Sequence, residues 1–384
     1  MASVVETAPL VLNVGAVLMA AATMGFAARK VGLPSVIGYL FTGLLVSAFT
    51  PDFLAEDNQI ALLAEIGVVL LLFEVGIELD LKRISREQKA LLWGVPTQMS
   101  IGVLLGTPIF VWFGISFFGA LILSLCIAMS SSVVIVNITR SPRRATNTST
   151  EEALLGWSLM QDLVGVAFAA LMLTIFGASE KSAVTAIGGL FAFAAIAVIA
   201  SRLLPKVLKA VRWERDLFLI YSVSFGLVLA ALGTVVFEIP MALAGFIAGL
   251  TINQSRDTDD VRKAILPFRD LFAVLFFVIV GTLIQPAQIS SAWPFALLVL
   301  AMMITLKSLP TILIAKISKM NATPFHLGVG VSQIGEFSFV LGSVAFAQKA
   351  ITLTQYTGLL LAVAISISGS TILVRRGKRQ KASS

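Results

Sequence analysis

The chain has 384 residues, of which 58% are hydrophobic and only 13% are charged, whereas about 25% of the residues in a typical soluble domain are charged. A lipid bilayer can cover so much apolar surface and water cannot, which excludes a soluble protein and predicts an all-α integral membrane protein. The net charge of +7 is expected on loops that face anionic lipid, so no nucleic-acid partner is expected. One cysteine and one histidine exclude a disulfide framework within the chain and a multi-histidine metal site.

Thirteen apolar runs, separated by Pro, Gly and charged clusters, predict thirteen transmembrane helices, numbered 1 to 13 along the chain. At about 20 residues per span these helices use nearly all of the chain, which predicts a single transmembrane domain over 1–384 and no separate soluble domain. The predicted helices are 8–28, 34–49, 59–78, 90–113, 117–138, 152–176, 183–204, 216–236, 240–253, 268–284, 292–315, 325–348 and 355–374.

The loops alternate in charge along the chain. Loops after the odd-numbered helices, together with the C-terminal tail, hold 23 of the 28 Lys and Arg residues, and loops after the even-numbered helices hold two. Because positively charged loops stay in the cytoplasm, the alternation predicts an N-terminus outside and a C-terminus inside. A missed or added helix would disturb the alternation from that point onward.

Two parts of the chain are related by an internal repeat. The segment PSVIGYLFTGLLVS, which begins at Pro34, aligns with PMALAGFIAGLTIN at an offset of 206 residues, and Gly43 then matches Gly249. Gly76 matches Gly281 at an offset of 205. The loop charges give the two copies opposite orientations, so we predict an inverted-topology repeat of helices 2–6 and helices 9–13, an arrangement typical of secondary transporters.

Three polar residues lie in the middle of predicted spans, where an ionisable group costs at least ~2.5 kcal/mol unless it is paired, hydrated or functional. Asp162 lies near the middle of helix 6, with no basic residue within two turns, and Lys307 lies in the middle of helix 11. One interpretation is a buried structural ion pair between them. The other is a monovalent cation site, where Asp162 holds a cation and a proton in turn, Gln161 offers a neutral carbonyl oxygen, and Lys307 compensates charge.

Two predicted helices contain clusters of small and polar residues that are typical of unwound segments. Helix 5 holds Ser130, Ser131 and Ser132, and helix 12 is rich in glycine before Glu336. Broken helices expose carbonyl groups and helix ends to a central cavity, so we predict that helices 5 and 12 cross there and that the three serines help to bind the ion. The alternative is close helix packing through small residues.

Four further charged residues have more than one interpretation. Glu74 in helix 3 either reaches the same cavity as an ion or proton ligand or is a structural acid. Glu336 is a candidate for charge compensation, and Arg269 and Asp270 are candidates for gating or structural ion pairs.

Together these segments resemble the monovalent cation:proton antiporter-2 family, which includes Kef-type potassium/proton and NapA-like sodium/proton antiporters. The resemblance covers essentially the whole chain and rests on GLPSVIGYLFTGLLVS, LLLFEVGIELDLKR, SSSVV, the Gln161-Asp162 pair, FRDLFAVLFFVIVGTLI and SQIGEFSFVL. It implies a homodimer, a mobile core of helices 4–6 and 11–13, a dimerisation scaffold formed by the other helices, and competition between cation and proton at Asp162. Gln161 resembles the Kef-type pair and favours potassium, whereas Glu74 keeps a sodium interpretation open. The cytoplasmic nucleotide-binding domain of Kef-type proteins is not expected in 1–384.

The leading functional hypothesis is therefore a secondary monovalent cation/proton antiporter of the bacterial inner membrane, with potassium favoured and no cofactor beyond the transported ions. A sodium or lithium/proton antiporter of the same fold is the alternative. A proton-independent cation channel and a symporter are further possibilities. The direction in which the cation moves when the pH gradient is reversed distinguishes both of them from an antiporter. An intramembrane enzyme is not expected, because no Ser/His dyad or clustered acidic metal motif is present in the sequence.

Overall fold

The computed structural model describes residues 4–31, 33–49, 58–78, 89–131, 134–135, 148–176, 183–237, 239, 241–253, 258–284, 286–335 and 337–376. Regular structure within these ranges is helical, and each of the thirteen predicted segments overlaps a helix there. The helices are α1 (Val4–Lys30), α2 (Ser35–Phe49), α3 (Asn58–Glu78), α4 (Lys89–Trp112), α5 (Phe117–Ala128), α6 (Thr148–Phe176), α7 (Ala183–Val211), α8 (Arg215–Phe237), α9 (Met241–Asn253), α10 (Thr258–Thr282), α11 (Pro286–Ile317), α12a (Pro324–Gly330), α12b (Phe337–Ala347) and α13 (Leu353–Arg376).

The helices have the length and composition of membrane spans. Within the described ranges, eight are long and apolar enough to cross a bilayer, and α2, α5, α12b and most of α9 form shorter apolar helices. Large apolar side chains such as Met19, Leu104 and Val235 are exposed on the outer faces. Such surfaces are stable against lipid, and the protein is an all-α, multi-pass membrane protein.

The helices pack in two groups. In the first group, α3 and α10 lie side by side and also contact α1, α2, α8 and α9. In the second group, α4, α5 and α6 pack together, α12b packs on α5, and α11 packs on α12a and α13. Helix α7 contacts members of both groups. Helix contacts are therefore concentrated within each group, and fewer of them join the two groups.

One close helix contact occurs twice, at positions that the sequence repeat relates. At α2 and α10, a Cβ added to Gly43 would lie 2.7 Å from the Cα of Gly281. At α9 and α3, a Cβ added to Gly249 would lie 2.9 Å from the Cα of Gly76. Gly43 and Gly249 are equivalent positions of the repeat, and so are Gly76 and Gly281. Each contact therefore joins a glycine of one copy to a glycine of the other copy. Only glycine permits such close approach of two backbones, which lets the helices gain packing energy along their length.

Three irregular segments lie in the second group of helices. Helix α5 ends at Ala128, and helix α12 is interrupted between Gly330 and Phe337. Helix α11 contains a π-helical turn over Ile304–Ser308, in which the Leu309 N–H donates to the Ile304 carbonyl. A π-turn widens a helix locally and rotates the side chains that follow it, and such turns are frequent at functional sites.

Candidate functional site

The interruptions of α5 and α12 lie directly against each other. The Gly335 N–H donates to the carbonyl of Met129 at 3.1 Å, and the Ser130 hydroxyl donates to the carbonyl of Val331 at 2.8 Å. A Cβ on Gly335 would lie 2.6 Å from the Ser130 carbonyl oxygen. The two unwound segments therefore satisfy part of each other's backbone hydrogen bonding inside the membrane, where water is not available to do so.

Lys307 reaches this junction from the π-turn of α11, and its side chain is fully buried. Its ammonium donates to the Met129 carbonyl at 3.0 Å and to the Gln333 carbonyl at 2.5 Å. Among the described residues, no ion pair between Lys307 and Asp162 is found, and the ammonium contacts backbone carbonyls instead. The physical reason is that the two interruptions leave carbonyl oxygens without helical donors, and a buried ammonium is a strong donor for them.

Gln161 and Asp162 lie on α6 beside the end of α5, and the Asp162 side chain is only 3% exposed. The Gln161 Nε2 donates to the Ala128 carbonyl at 3.0 Å and to the Gln98 Oε1 at 2.7 Å. Its Oε1 is buried and accepts no hydrogen bond. A buried carboxylate and a buried amide oxygen thus lie on neighbouring residues, next to the junction of the two interruptions.

The predicted serines differ in what they contact. Ser130 bridges the two interruptions, as described above. The Ser131 hydroxyl accepts from the Val134 N–H at 3.4 Å, and its carbonyl accepts from the Ile135 N–H at 3.1 Å, which is the pattern of a helix N-cap. Ser131 is buried, so the positive end of a helical turn begins at the junction. Ser132 and Glu336, also predicted for the site, lie outside the described residues.

Glu74 is buried in the first group of helices, where it forms ion pairs with α10. Its two carboxylate oxygens accept from Arg262 Nε at 2.8 Å and from Arg269 Nη1 at 2.9 Å. Arg269 also pairs with Asp270 at 2.5 Å. A carboxylate held by two guanidinium groups is poorly suited to bind a cation, which favours the structural interpretation of Glu74, Arg269 and Asp270 over a ligand role for Glu74.

Three buried polar residues near the junction were missed by the sequence argument. The Gln333 Nε2 donates to the Gly330 and Ser131 carbonyls, and its Oε1 accepts from the Ser370 hydroxyl. Gln98 contacts Gln161, and Ser158, one turn before Asp162, has a buried hydroxyl without a hydrogen-bond partner. A glutamine in an apolar span is a detectable signal because its amide must be satisfied there. A single serine such as Ser158 carries no comparable signal.

The chemistry of the junction suits a hard monovalent cation and a proton. Its groups are a carboxylate, neutral amide and carbonyl oxygens and one ammonium, and oxygen ligands are what hard cations prefer. Interrupted helices that present such groups inside a bundle are the usual way for secondary transporters to build an ion site. The fold thus defines a helical membrane protein, and the polar groups near the two interruptions make this junction the candidate functional site.

Comparison with known proteins places the chain in a family. Residues 16–375 match the family model for the transmembrane part of sodium/hydrogen exchangers, and the chain belongs to that family. YbaL of Escherichia coli (strain K12), which is named as a candidate cation/proton antiporter, is 29% identical over 353 residues. The match covers 88% of this chain and 63% of YbaL, so the chain spans less than two thirds of that relative's length.

Solved structures agree with this assignment at the level of the fold. The sodium proton antiporter MjNhaP1 of Methanocaldococcus jannaschii at pH 8 aligns with a TM-score of 0.72 at 17% identity, over 96% of this chain and 98% of that one. An electron-microscopy structure of MjNhaP1 aligns with a TM-score of 0.61 at 17% identity, over 97% and 95% of the two chains. The predicted resemblance to monovalent cation:proton antiporters is confirmed, and the family is one of exchangers, not of enzymes.

Proposed function

We propose that this protein is a secondary monovalent cation/proton antiporter in which the cation and the proton compete for Asp162. One observation carries the proposal. The Asp162 side chain is 3% exposed, and the preceding residue, Gln161, has a buried Oε1 without a hydrogen-bond partner and an Nε2 that donates to the last carbonyl of α5. Membership of the exchanger family supports it independently.

Competition follows from the electrostatics of a buried carboxylate. A negative charge in a low-dielectric interior is costly, and either a proton or a dehydrated cation removes most of that cost. Both cannot occupy Asp162 at once, so binding of one drives release of the other. Gln161 Oε1 adds a neutral oxygen ligand for the cation, whereas the proton binds the Asp162 carboxylate and does not require this oxygen.

Lys307 is proposed to contribute positive charge to the same junction. Its ammonium contacts the Met129 and Gln333 carbonyls, one from each interruption. We propose that it compensates the negative end of the two helix breaks, so that the junction keeps its shape when the cation leaves. Glu336, which lies outside the described residues, is the other candidate for a compensating charge.

Alternating access would proceed by movement of the second helix group against the first. The proposed core is α4–α6 with α11–α13, and the other helices form the scaffold and a homodimer interface. An apolar cavity lies between the groups, with Leu72 and Leu243 on one side and Met129, Gly165 and Leu341 on the other. An apolar seam can slide without breaking hydrogen bonds, which supports this movement.

The loop charges and the twice-occurring glycine contact support the rest of the topology. We propose thirteen spans, an N-terminus outside, a C-terminus inside, and an inverted repeat whose interrupted helices, α5 and α12, cross near the midplane. The bacterial inner membrane is the expected location.

Potassium is the favoured cation, because Gln161 supplies a neutral oxygen where a second carboxylate would add charge. A second carboxylate strengthens the field of a site and favours a smaller, more strongly hydrated ion. Sodium or lithium is the alternative, since MjNhaP1, which has a similar fold, is a sodium proton antiporter.

Exchange in proteoliposomes with an internal pH dye tests the proposal. Addition of K⁺, Na⁺ or Li⁺ outside should drive cations in and protons out, so the lumen should become more alkaline. Reversal of the pH gradient should reverse the cation flux. Competition predicts that the apparent KM for the cation rises as the pH falls while the rate at saturating cation is retained. Asp162→Asn should abolish exchange, and full exchange by that variant would refute the mechanism. Cation flux that ignores the pH gradient would indicate a channel.

A further inference from the structure

Gln98 lies on α4 at a point where α4 approaches the end of α5 unusually closely. Its side chain is fully buried. One turn further along α4, a Cβ on Gly102 would lie 3.2 Å from the Ala128 Cβ. Two turns further along, a Cβ on Gly106 would lie 2.7 Å from the Ser124 hydroxyl. This face of small residues brings the long Gln98 amide to the last residue of α5.

Gln98, Gln161 and Ala128 form a closed triangle of hydrogen bonds. The Ala128 carbonyl accepts from the Gln161 Nε2 at 3.0 Å and, more weakly, from the Gln98 Nε2 at 3.5 Å, while the Gln161 Nε2 also donates to the Gln98 Oε1 at 2.7 Å. Ala128 is the final residue of α5, where a carbonyl has no helical donor. Because that carbonyl can only accept, both amide nitrogens must face it, which fixes the orientation of both side chains.

The triangle determines which atom of the Gln161 amide faces away from Gln98 and Ala128. Both N–H groups of its amide are used within the triangle, so its Oε1 points away from it, buried and without a hydrogen-bond partner. An amide whose N–H groups both donate carries more negative charge on its oxygen, because linked hydrogen bonds polarise one another. A fixed, polarised oxygen is a better ligand for a hard cation than one on a freely rotating amide.

We propose that Gln98 is a positioning residue for the ion site: it holds Gln161 with Oε1 aimed at the cation and so raises the cation affinity of Asp162. Gln98 does not itself touch the ion in this scheme, because both ends of its amide face the triangle. The inference rests on the proposed antiport function and assigns Gln98 a role in it. Residues that hold metal ligands in place typically contribute about 10- to 100-fold to metal affinity.

The test is steady-state exchange by Gln98→Met in proteoliposomes, since Met has a similar shape but cannot complete the triangle. The apparent KM for the preferred cation should rise about 10- to 100-fold, with the maximal rate at saturating cation little changed. Preference among K⁺, Na⁺ and Li⁺ should weaken in the same variant. Thr107→Val is the matched control, because it also removes a buried side-chain hydrogen bond from α4 to α5, here to Ser124 at 3.4 Å, and that bond does not involve Gln161.

A double-mutant cycle separates positioning from general structure. If Gln98 acts through Gln161, Gln98→Met should add almost nothing in a Gln161→Met background. A full additional effect there, or an unchanged KM in Gln98→Met alone, would overturn the inference. Should Gln98→Met fail to fold, Gln98→Asn, which keeps an amide but is one methylene too short to close the triangle, undergoes the same cycle. Asp162→Asn shows whether the proposed function or only the role of Gln98 is wrong. Full exchange by Asp162→Asn refutes the proposed function. An inactive Asp162→Asn together with a Gln98→Met variant of normal KM refutes only the role of Gln98.

Discussion

Substitution of Glu74 by Gln separates a structural acid from an ion ligand. The Glu74 side chain is only 3% exposed, and its two oxygens accept from Arg262 and Arg269. Glutamine keeps the shape but removes the charge, and its NH₂ group then faces a guanidinium. We therefore expect Glu74→Gln to destabilise the contact between α3 and α10 while leaving the ion site of α6 intact.

The expected size of the effect follows from burial. Removal of one partner from a buried ion pair costs about 3–5 kcal/mol. The Arg262 and Arg269 side chains are 35% and 25% exposed, so water can partly solvate them, and we expect a loss near the lower end, about 3 kcal/mol. With an unfolding entropy of about 2.1 cal/mol/K per residue, that loss lowers Tm by about 4 °C. Helices that persist in unfolded membrane protein reduce this entropy and make the shift larger.

The assay is a thermal unfolding curve in detergent, paired with exchange in proteoliposomes below the lowered Tm. Glu65→Gln is the matched control, because Glu65 is an acid on the same helix whose side chain is exposed. Glu74→Gln should unfold several degrees earlier than wild type and still exchange cations with an unchanged KM. Loss of exchange at normal thermal stability would refute the structural interpretation and make Glu74 a ligand.

Two further substitutions test the junction of the interrupted helices. Lys307→Leu leaves the Gln333 carbonyl without its ammonium donor, at about 1–3 kcal/mol for an unsatisfied buried group, while the Met129 carbonyl keeps the Gly335 N–H; the variant should have a lower Tm and a lower exchange rate, and wild-type stability would show that the ammonium contributes little. Gly335→Ala places a methyl group 2.6 Å from the Ser130 carbonyl oxygen and should separate the two interruptions and slow exchange. Gly188→Ala on α7, where nothing lies within 4 Å of the added Cβ, is its control, and equal exchange rates in the two variants would contradict the argument.

The positions of the helices could be predicted because membrane spans are strongly constrained by composition. Each needs about 20 apolar residues, and its loops carry their own charge signal. Helix ends were less predictable. The predicted helix 10 began at 268, whereas α10 begins at Thr258, because its first turns are polar and carry Asp259, Asp260 and Arg262. Hydropathy detects the span but not a helical extension with charged residues.

The partners of buried charges were much harder to predict. The sequence suggested Asp162 for Lys307, but a lysine in a membrane protein can also be satisfied by backbone carbonyls, which every residue carries. Only the orientation of the two interruptions determines that Met129 and Gln333 present theirs. For Glu74, the partners lie 188 and 195 residues away on α10, and a buried acid looks the same in sequence whether its partner is an arginine or an ion.

The twice-occurring glycine contact links the sequence repeat to the way the site is supported. Gly43 meets Gly281 and Gly249 meets Gly76, so each copy of the repeat supplies one glycine to each contact. If each copy formed its own separate bundle, its glycines would contact glycines of the same copy. Contacts between the copies are instead expected when two inverted copies pack around a pseudo-two-fold axis. Because both contacts lie in the first group of helices, a shift of either copy there would disturb both of them. The interruptions of α5 and α12, which the sequence repeat places at equivalent positions of the two copies, meet in the second group of helices.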